Sequence, residues 1–180
     1  MSQYFGGGGV INSNPNLWVP IGEHGGRVVE SWDHVAIHKG QIYRKGVFET
    51  LASGSTLTVT ITTPTTENIH INLGVDTDGP GIARFYEGAT VSGGSVLTAL
   101  NANRNITTAS EVTLAKDPTV TTIGTPIGIN VIGSEGFKTV AGGSAESQTW
   151  ILKPSTTYLL QFTADNDDCR TVLKYIWLED

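Results

Sequence analysis

From Trp32 onward, apolar residues recur at every second position in short runs separated by Gly, Asn, Asp and Pro. That pattern belongs to half-buried β-strands joined by turns. The clearest run is STLTVTITTP, with Leu57, Val59 and Ile61 on one face, Thr58, Thr60 and Thr62 on the other, and Pro64 as its stop. ENIHINLGVDTDGPG repeats it with Ile69, Ile71 and Leu73 inward and a turn at Asp78-Gly79-Pro80. HVAIHKGQIYRKG predicts a hairpin through Lys39-Gly40, and IARFYEGATVS, SVLTAL, EVTLAKDPTVT and TPIGINVIG supply further strands. Helical signal is thin: EVTLAKD is the nearest candidate for one turn, which Pro118 would end.

The stretch from Ser147 to Asp180 predicts two long strands folded back on the polar turn DNDD. In TTYLLQF the Tyr158, Leu160, Phe162 row and Leu159 are apolar, and in TVLKYIWL both rows are largely apolar. Successive side chains point to opposite faces, so apolar residues in both rows predict a central strand covered on both sides, in a layered β protein or at an oligomer interface. About seven to nine strands at this spacing predict an all-β fold, an antiparallel β-sandwich with jelly roll as the expected topology, over residues 31–180.

Residues 1–30 read differently. A four-glycine run at 6–9, Asn14-Pro15, Pro20 and Gly25-Gly26 oppose regular structure, yet Tyr4, Phe5, Val10, Ile11, Leu17 and Trp18 are spaced among them. Glycine mobility with apolar anchors predicts an extended arm that orders on a partner, with those six residues as the partner-binding positions.

Composition narrows the function. Among 180 residues 38% are hydrophobic, enough for one folded domain, but only 16% are charged, so Thr, Ser, Asn and Gly carry much of the surface. A net charge of −6 without a basic cluster disfavours nucleic acid and anionic membrane as partners. No stretch has a signal-peptide pattern or the apolar length of a membrane span, which sets the expectation of a protein assembled in the cytoplasm.

No reactive constellation stands out, and neither catalytic nor cofactor-binding residues are predicted. His34 and His38 lie four apart without a third ligand nearby, so no metal site is expected there. Asp76, Asp78 and Gly79 echo the start of a calcium loop, but Pro80 and the missing downstream Glu break it, and Asp165, Asp167 and Asp168 fit a hairpin tip. Cys169 has no partner for a disulfide. Nucleophile-elbow, Walker and dinucleotide-binding glycine motifs are absent. Of the tryptophans, Trp150 and Trp177 read as core, and Trp18 and Trp32 flank the arm; together they leave a carbohydrate platform as an open alternative.

Taken in order, HVAIHKGQIY, RFYEGATVSGGSVLTALNANRN, KDPTVT and WILKPSTTYLLQFTA with the closing LKYIWLED resemble tailed-phage capsid cement or decoration proteins, over about residues 34 to 180. The resemblance implies a jelly-roll-like β-sandwich without catalysis, located on the virion capsid surface. It implies the major capsid protein as partner. Strands apolar on both sides add self-association as a homo-dimer or homo-trimer. The alternative is a tail or fibre module that binds a receptor or carbohydrate.

Overall fold

Alternation along the chain becomes two packed antiparallel sheets. The computed structural model describes residues 31–133 and 148–179. The chain divides into two units, 1–35 and 36–180, and of the first only 31–35 are described. Helix α1 (Trp32–Lys39) is followed by β1 (Ile42–Leu51), β2 (Thr56–Thr62), β3 (Ile69–Thr77), β4 (Gly81–Glu87), β5 (Thr90–Ser92), β6 (Ser95–Leu97) and β7 (Leu100–Asn101). Then come β8 (Thr113–Lys116), β9 (Thr119–Thr122), β10 (Thr125–Ile132), β11 (Gln148–Leu152), β12 (Thr157–Ala164) and β13 (Cys169–Leu178). One sheet has five strands in the order β11-β3-β13-β1-β7, and the other has six in the order β10-β4-β12-β2-β8-β6. A separate ribbon pairs β5 with β9. The fold is an all-β sandwich.

The inward rows meet as one core. Val47, Ile71, Leu173, Tyr175 and Trp177 of the five-stranded sheet pack with Val59, Ile61, Phe85, Leu160 and Phe162 of the six-stranded sheet. Each such aliphatic or phenyl group, fully buried, contributes about 1.5–3 kcal/mol. Tyr43 stacks on Trp177 at 5.9 Å, and Phe85 stacks on Tyr158 at 5.5 Å. Leu57, Val59, Ile61, Ile69, Ile71 and Leu73 all face inward, as their alternation predicted.

Two outward patches are covered by the chain itself. Ala36 and Ile37, in the last turn of α1, close over Ile42 and Leu178, which are paired in neighbouring strands. The β5-β9 ribbon, through Val91 and Val120, closes over Tyr86, Ala89 and Leu159. Leu159 is thus apolar in the second row because a second layer covers it.

Four expectations are corrected. The predicted hairpin at Lys39-Gly40 is the end of α1: the Ser31 hydroxyl and carbonyl accept from the His34 N–H, and Gly40 takes the left-handed conformation (φ 75°) that ends a helix. EVTLAKD, read both as part of a strand and as the nearest candidate for a helical turn, holds strand β8 and no helical turn, and Asp117 at φ 50° closes it. The last two strands form no hairpin: β12 lies in the six-stranded sheet and β13 in the five-stranded one, so residues 165–168 are a corner between layers. That corner is held from outside, because Ser53 donates its N–H to Asp167 (2.8 Å) and its hydroxyl to the Asp165 carbonyl (2.9 Å). Finally, β13 is central, between β1 and β3, but only its inward row is covered throughout. Arg170, Lys174 and Ile176 of the outward row stay exposed, since α1 reaches only Leu178.

Candidate interaction surfaces

Most of the polar groups flagged by the sequence serve the sandwich. Asp78 accepts from the Arg170 side chain (2.5 Å) and backbone (2.7 Å), and Asp76 pairs with Lys174. Burial works against ionisation of Asp78, but the Arg170 hydrogen bonds and charge hold its carboxyl below the usual range. With these carboxylates bound to cations and Asp167 bound to Ser53, the acidic turns are corner fastenings. Among the described residues no group of three or more His, Cys, Asp or Glu is arranged to hold a metal ion. His34 and His38 share one side of α1, and Cys169 is buried against the Thr77 hydroxyl. Trp177 is core, Trp150 is half-buried against Phe85 at 5.7 Å, and Trp32 is exposed.

A carboxylate unmarked in the sequence turns out to organise one flank. Glu179, buried just past β13, accepts from the Ser110 hydroxyl (2.5 Å), the Glu111 and Val112 N–H groups (3.1 and 3.3 Å) and the Trp177 indole (2.8 Å). It fastens the loop between β7 and β8 to the end of the last strand. Beside it Lys39, Gln41, Tyr43, Glu67, Thr108 and Glu111 line an open depression of about 240 Å³. Burial, then the nearby Glu179, Glu111 and Glu67 charges, push the Tyr43 hydroxyl above its ordinary pKa. That hydroxyl lies within 3.4–3.5 Å of the Thr108 and Ala109 carbonyls. The Asn-rich stretch does related work. Asn101 donates to the Gly40 carbonyl (2.6 Å) and Asn103 to the His38 carbonyl (3.2 Å), which satisfies the end of α1 from 61 and 65 residues away.

The six predicted partner-binding residues, Tyr4, Phe5, Val10, Ile11, Leu17 and Trp18, lie outside the described residues. Within the sandwich, apolar side chains stand out on strand faces, Phe48 at the rim of an open depression of about 320 Å³ shared with Asp76, Asp78 and Arg170. Phe48 is 60% exposed on β1, Ile151 64% on β11, and Ile129 and Val131 are 65% and 77% exposed on β10. Alternation predicted β10 as a strand but held no information on whether its outer edge would be paired. The chain matches no protein-family model, no curated protein and no solved structure.

Proposed function

We propose that this chain is a non-enzymatic structural protein of a tailed-phage virion, binding the outside of the assembled capsid and cementing or decorating it. The observation that carries the reading is the placing of Phe48, Ile151, Ile129 and Val131: exposed apolar groups on strand faces and edges of a cross-braced body. Apolar positions spread over the outside of rigid sheets suit an extended protein surface, whereas a small substrate is usually held in one enclosed concave site. The low share of charged residues, 16%, agrees with a surface made for contact. The partner is the major capsid protein, with further copies of this chain beside it. A protein that binds the assembled shell and not its separated subunits stabilises the assembly by mass action, and many copies on a lattice add up.

In this reading the segment 1–30 adds contacts through Tyr4, Phe5, Val10, Ile11, Leu17 and Trp18. The test pairs a virion reconstruction with binding to capsids lacking the chain. Density on the icosahedral shell, and lower occupancy after deletion of residues 1–25, are expected. Density confined to tail or fibre tips would overturn the capsid reading in favour of a receptor-binding module. Unchanged occupancy would remove the arm from it.

A further inference from the structure

Strand edges in folded proteins are seldom left open, because a row of unpaired N–H and C=O groups accepts any passing strand. Among the described residues of this sandwich the longest edge strand, β10, departs from that rule. β10 ends the six-stranded sheet: β4 pairs with one side of it, and no described residue pairs with the other. It is eight residues long, and its sequence TPIGINVI carries no charge. Pro126, the one residue there that blocks pairing, sits at the irregularity near its start; from Gly128 to Ile132 the register with β4 is unbroken.

The side chains on this edge are sorted by face. Gly128 and Asn130 lie opposite the buried Phe85 and Ala83 and line a void of about 20 Å³ between the sheets. Ile129 and Val131 point the other way, opposite Arg84 and Ile82, and are largely exposed. Two exposed aliphatic residues on one face of an uncharged edge that no described strand covers are the opposite of the usual guards, which are charge, brevity and cover.

We infer that β10 is a self-pairing strand: it joins antiparallel to β10 of a second copy across a twofold axis through Asn130. This arrangement places Ile129 opposite Val131 of the partner and Val131 opposite its Ile129, so four aliphatic groups cover one another on the outer face. The two Asn130 amides, each both donor and acceptor, meet at the axis. Two six-stranded sheets become one sheet of twelve. An antiparallel pair of identical strands is isologous and closes on itself, so the product is a dimer and not a fibre.

So short a contact falls below the roughly 1,200 Å² of a standard interface. Association is therefore weak in dilute solution and becomes strong where copies are held close together. The inference stands on the body alone and is independent of the capsid reading.

Sedimentation velocity of the full chain over a wide concentration range tests it. A reversible monomer–dimer equilibrium is expected, and Val131→Lys should weaken it at least tenfold while changing the melting temperature of the dilute monomer little. A parent that stays monomeric at the highest concentration, one that forms trimers, or a Val131→Lys variant that dimerises like the parent would each overturn the proposal. Cysteine pairing tests the register: mixed Ile129→Cys and Val131→Cys proteins should cross-link to each other under mild oxidation. Neither alone should do so to a comparable extent, since like residues are not opposite in this register. Equal cross-linking of each variant alone would overturn the register centred on Asn130.

Discussion

The two flanks of the sandwich are built on opposite terms. On one, the sheets end in β7 and β6, strands of two and three residues, and the loop between β7 and β8 is fastened by Glu179, Asn101 and Asn103. Lys116 of β8 pairs with Glu49 of β1, an ion pair that ties one sheet to the other. Val96 is exposed on β6, but three residues are too few to template another chain. On the other flank, the sheets end in β10 and β11, both without charge, with Ile129, Val131 and Ile151 exposed. One flank spends its polar groups on closing itself, and on the other apolar groups stand exposed and no described strand pairs with the outer side of β10. The difference teaches that the polar fastenings gather on one side of the body, and the proposed self-pairing falls on the other.

The contrast breaks most readily at Glu179. Replacement by Ala takes the acceptor from the Glu111 N–H and the buried Trp177 indole, while the Val112 N–H keeps the Ser110 oxygen (3.1 Å) and the Ser110 hydroxyl keeps the Val112 carbonyl (3.2 Å); a buried donor left unpaired costs about 1–3 kcal/mol. Water from the adjoining depression offsets part of that, so a loss of about 2–3 kcal/mol is expected, or roughly 4–12 °C in melting temperature. Glu179→Gln keeps one acceptor oxygen and should recover part of the loss. Amide exchange at Val112 should rise in both variants while exchange on β4 and β12 changes little. A Glu179→Ala protein that melts like the parent would mean that the fastened flank adds nothing to stability.

At the opposite flank the expected change in stability is far smaller. Val131→Lys alters an exposed outward position, for which about 0.5 kcal/mol in either direction is usual. Thermal melting under dilute, monomeric conditions measures it. A loss matching that of Glu179→Ala would show Val131 to be part of the packed body and would erase the contrast between the flanks.

What the sequence made legible follows from how local each signal is. The rows Leu57, Val59, Ile61 and Ile69, Ile71, Leu73 were readable because alternation is a property of neighbouring residues. The corner at 165–168 was not, since a hairpin and a corner use the same Asp and Asn. What distinguishes them is Ser53, which donates across 114 and 112 residues. Helix α1 escaped notice because its eight residues bury only Ala36 among those described, which leaves almost no apolar stripe. Its N-terminal cap is Ser31, and the Asn101 and Asn103 side chains that complete its other end come from the end of β7 and the loop after it. Glu179 had no signal at all: one acidic residue after an apolar strand looks like solvent-facing charge until Ser110 and Val112 are brought against it. The apolar edge of β10 was visible as TPIGINVI, and the lack of a described strand on its outer side is a property of sheet order alone.

Charge draws the finest distinction between the flanks. Glu87, at the end of β4 opposite Thr125 of β10, accepts from Lys153 (2.6 Å) and from the Tyr158 hydroxyl (3.2 Å). The Lys153 hydrogen bond is the main cause that lowers its carboxyl below the ordinary value, with burial opposing and Tyr158 assisting. A lowered folded-state value means that the unfolded chain takes up the proton first as the solution is acidified. The stabilisation is therefore complete above the unfolded value and disappears as pH falls through the folded one. Lys116, on the fastened flank, is raised chiefly by its Glu49 hydrogen bond, and its contribution has the opposite sense: complete below the unfolded value and lost as pH rises through the folded one. Acid should thus loosen the β10 side and alkali the β8 side. Lys153 is largely exposed, so the Glu87 pair adds less than about 1 kcal/mol. Melting curves from about pH 5 to pH 3, the range around an ordinary glutamate, should fall less steeply for Glu87→Gln than for the parent. Parallel curves would show that the ion pair is absent in solution and that the two flanks do not differ in this respect.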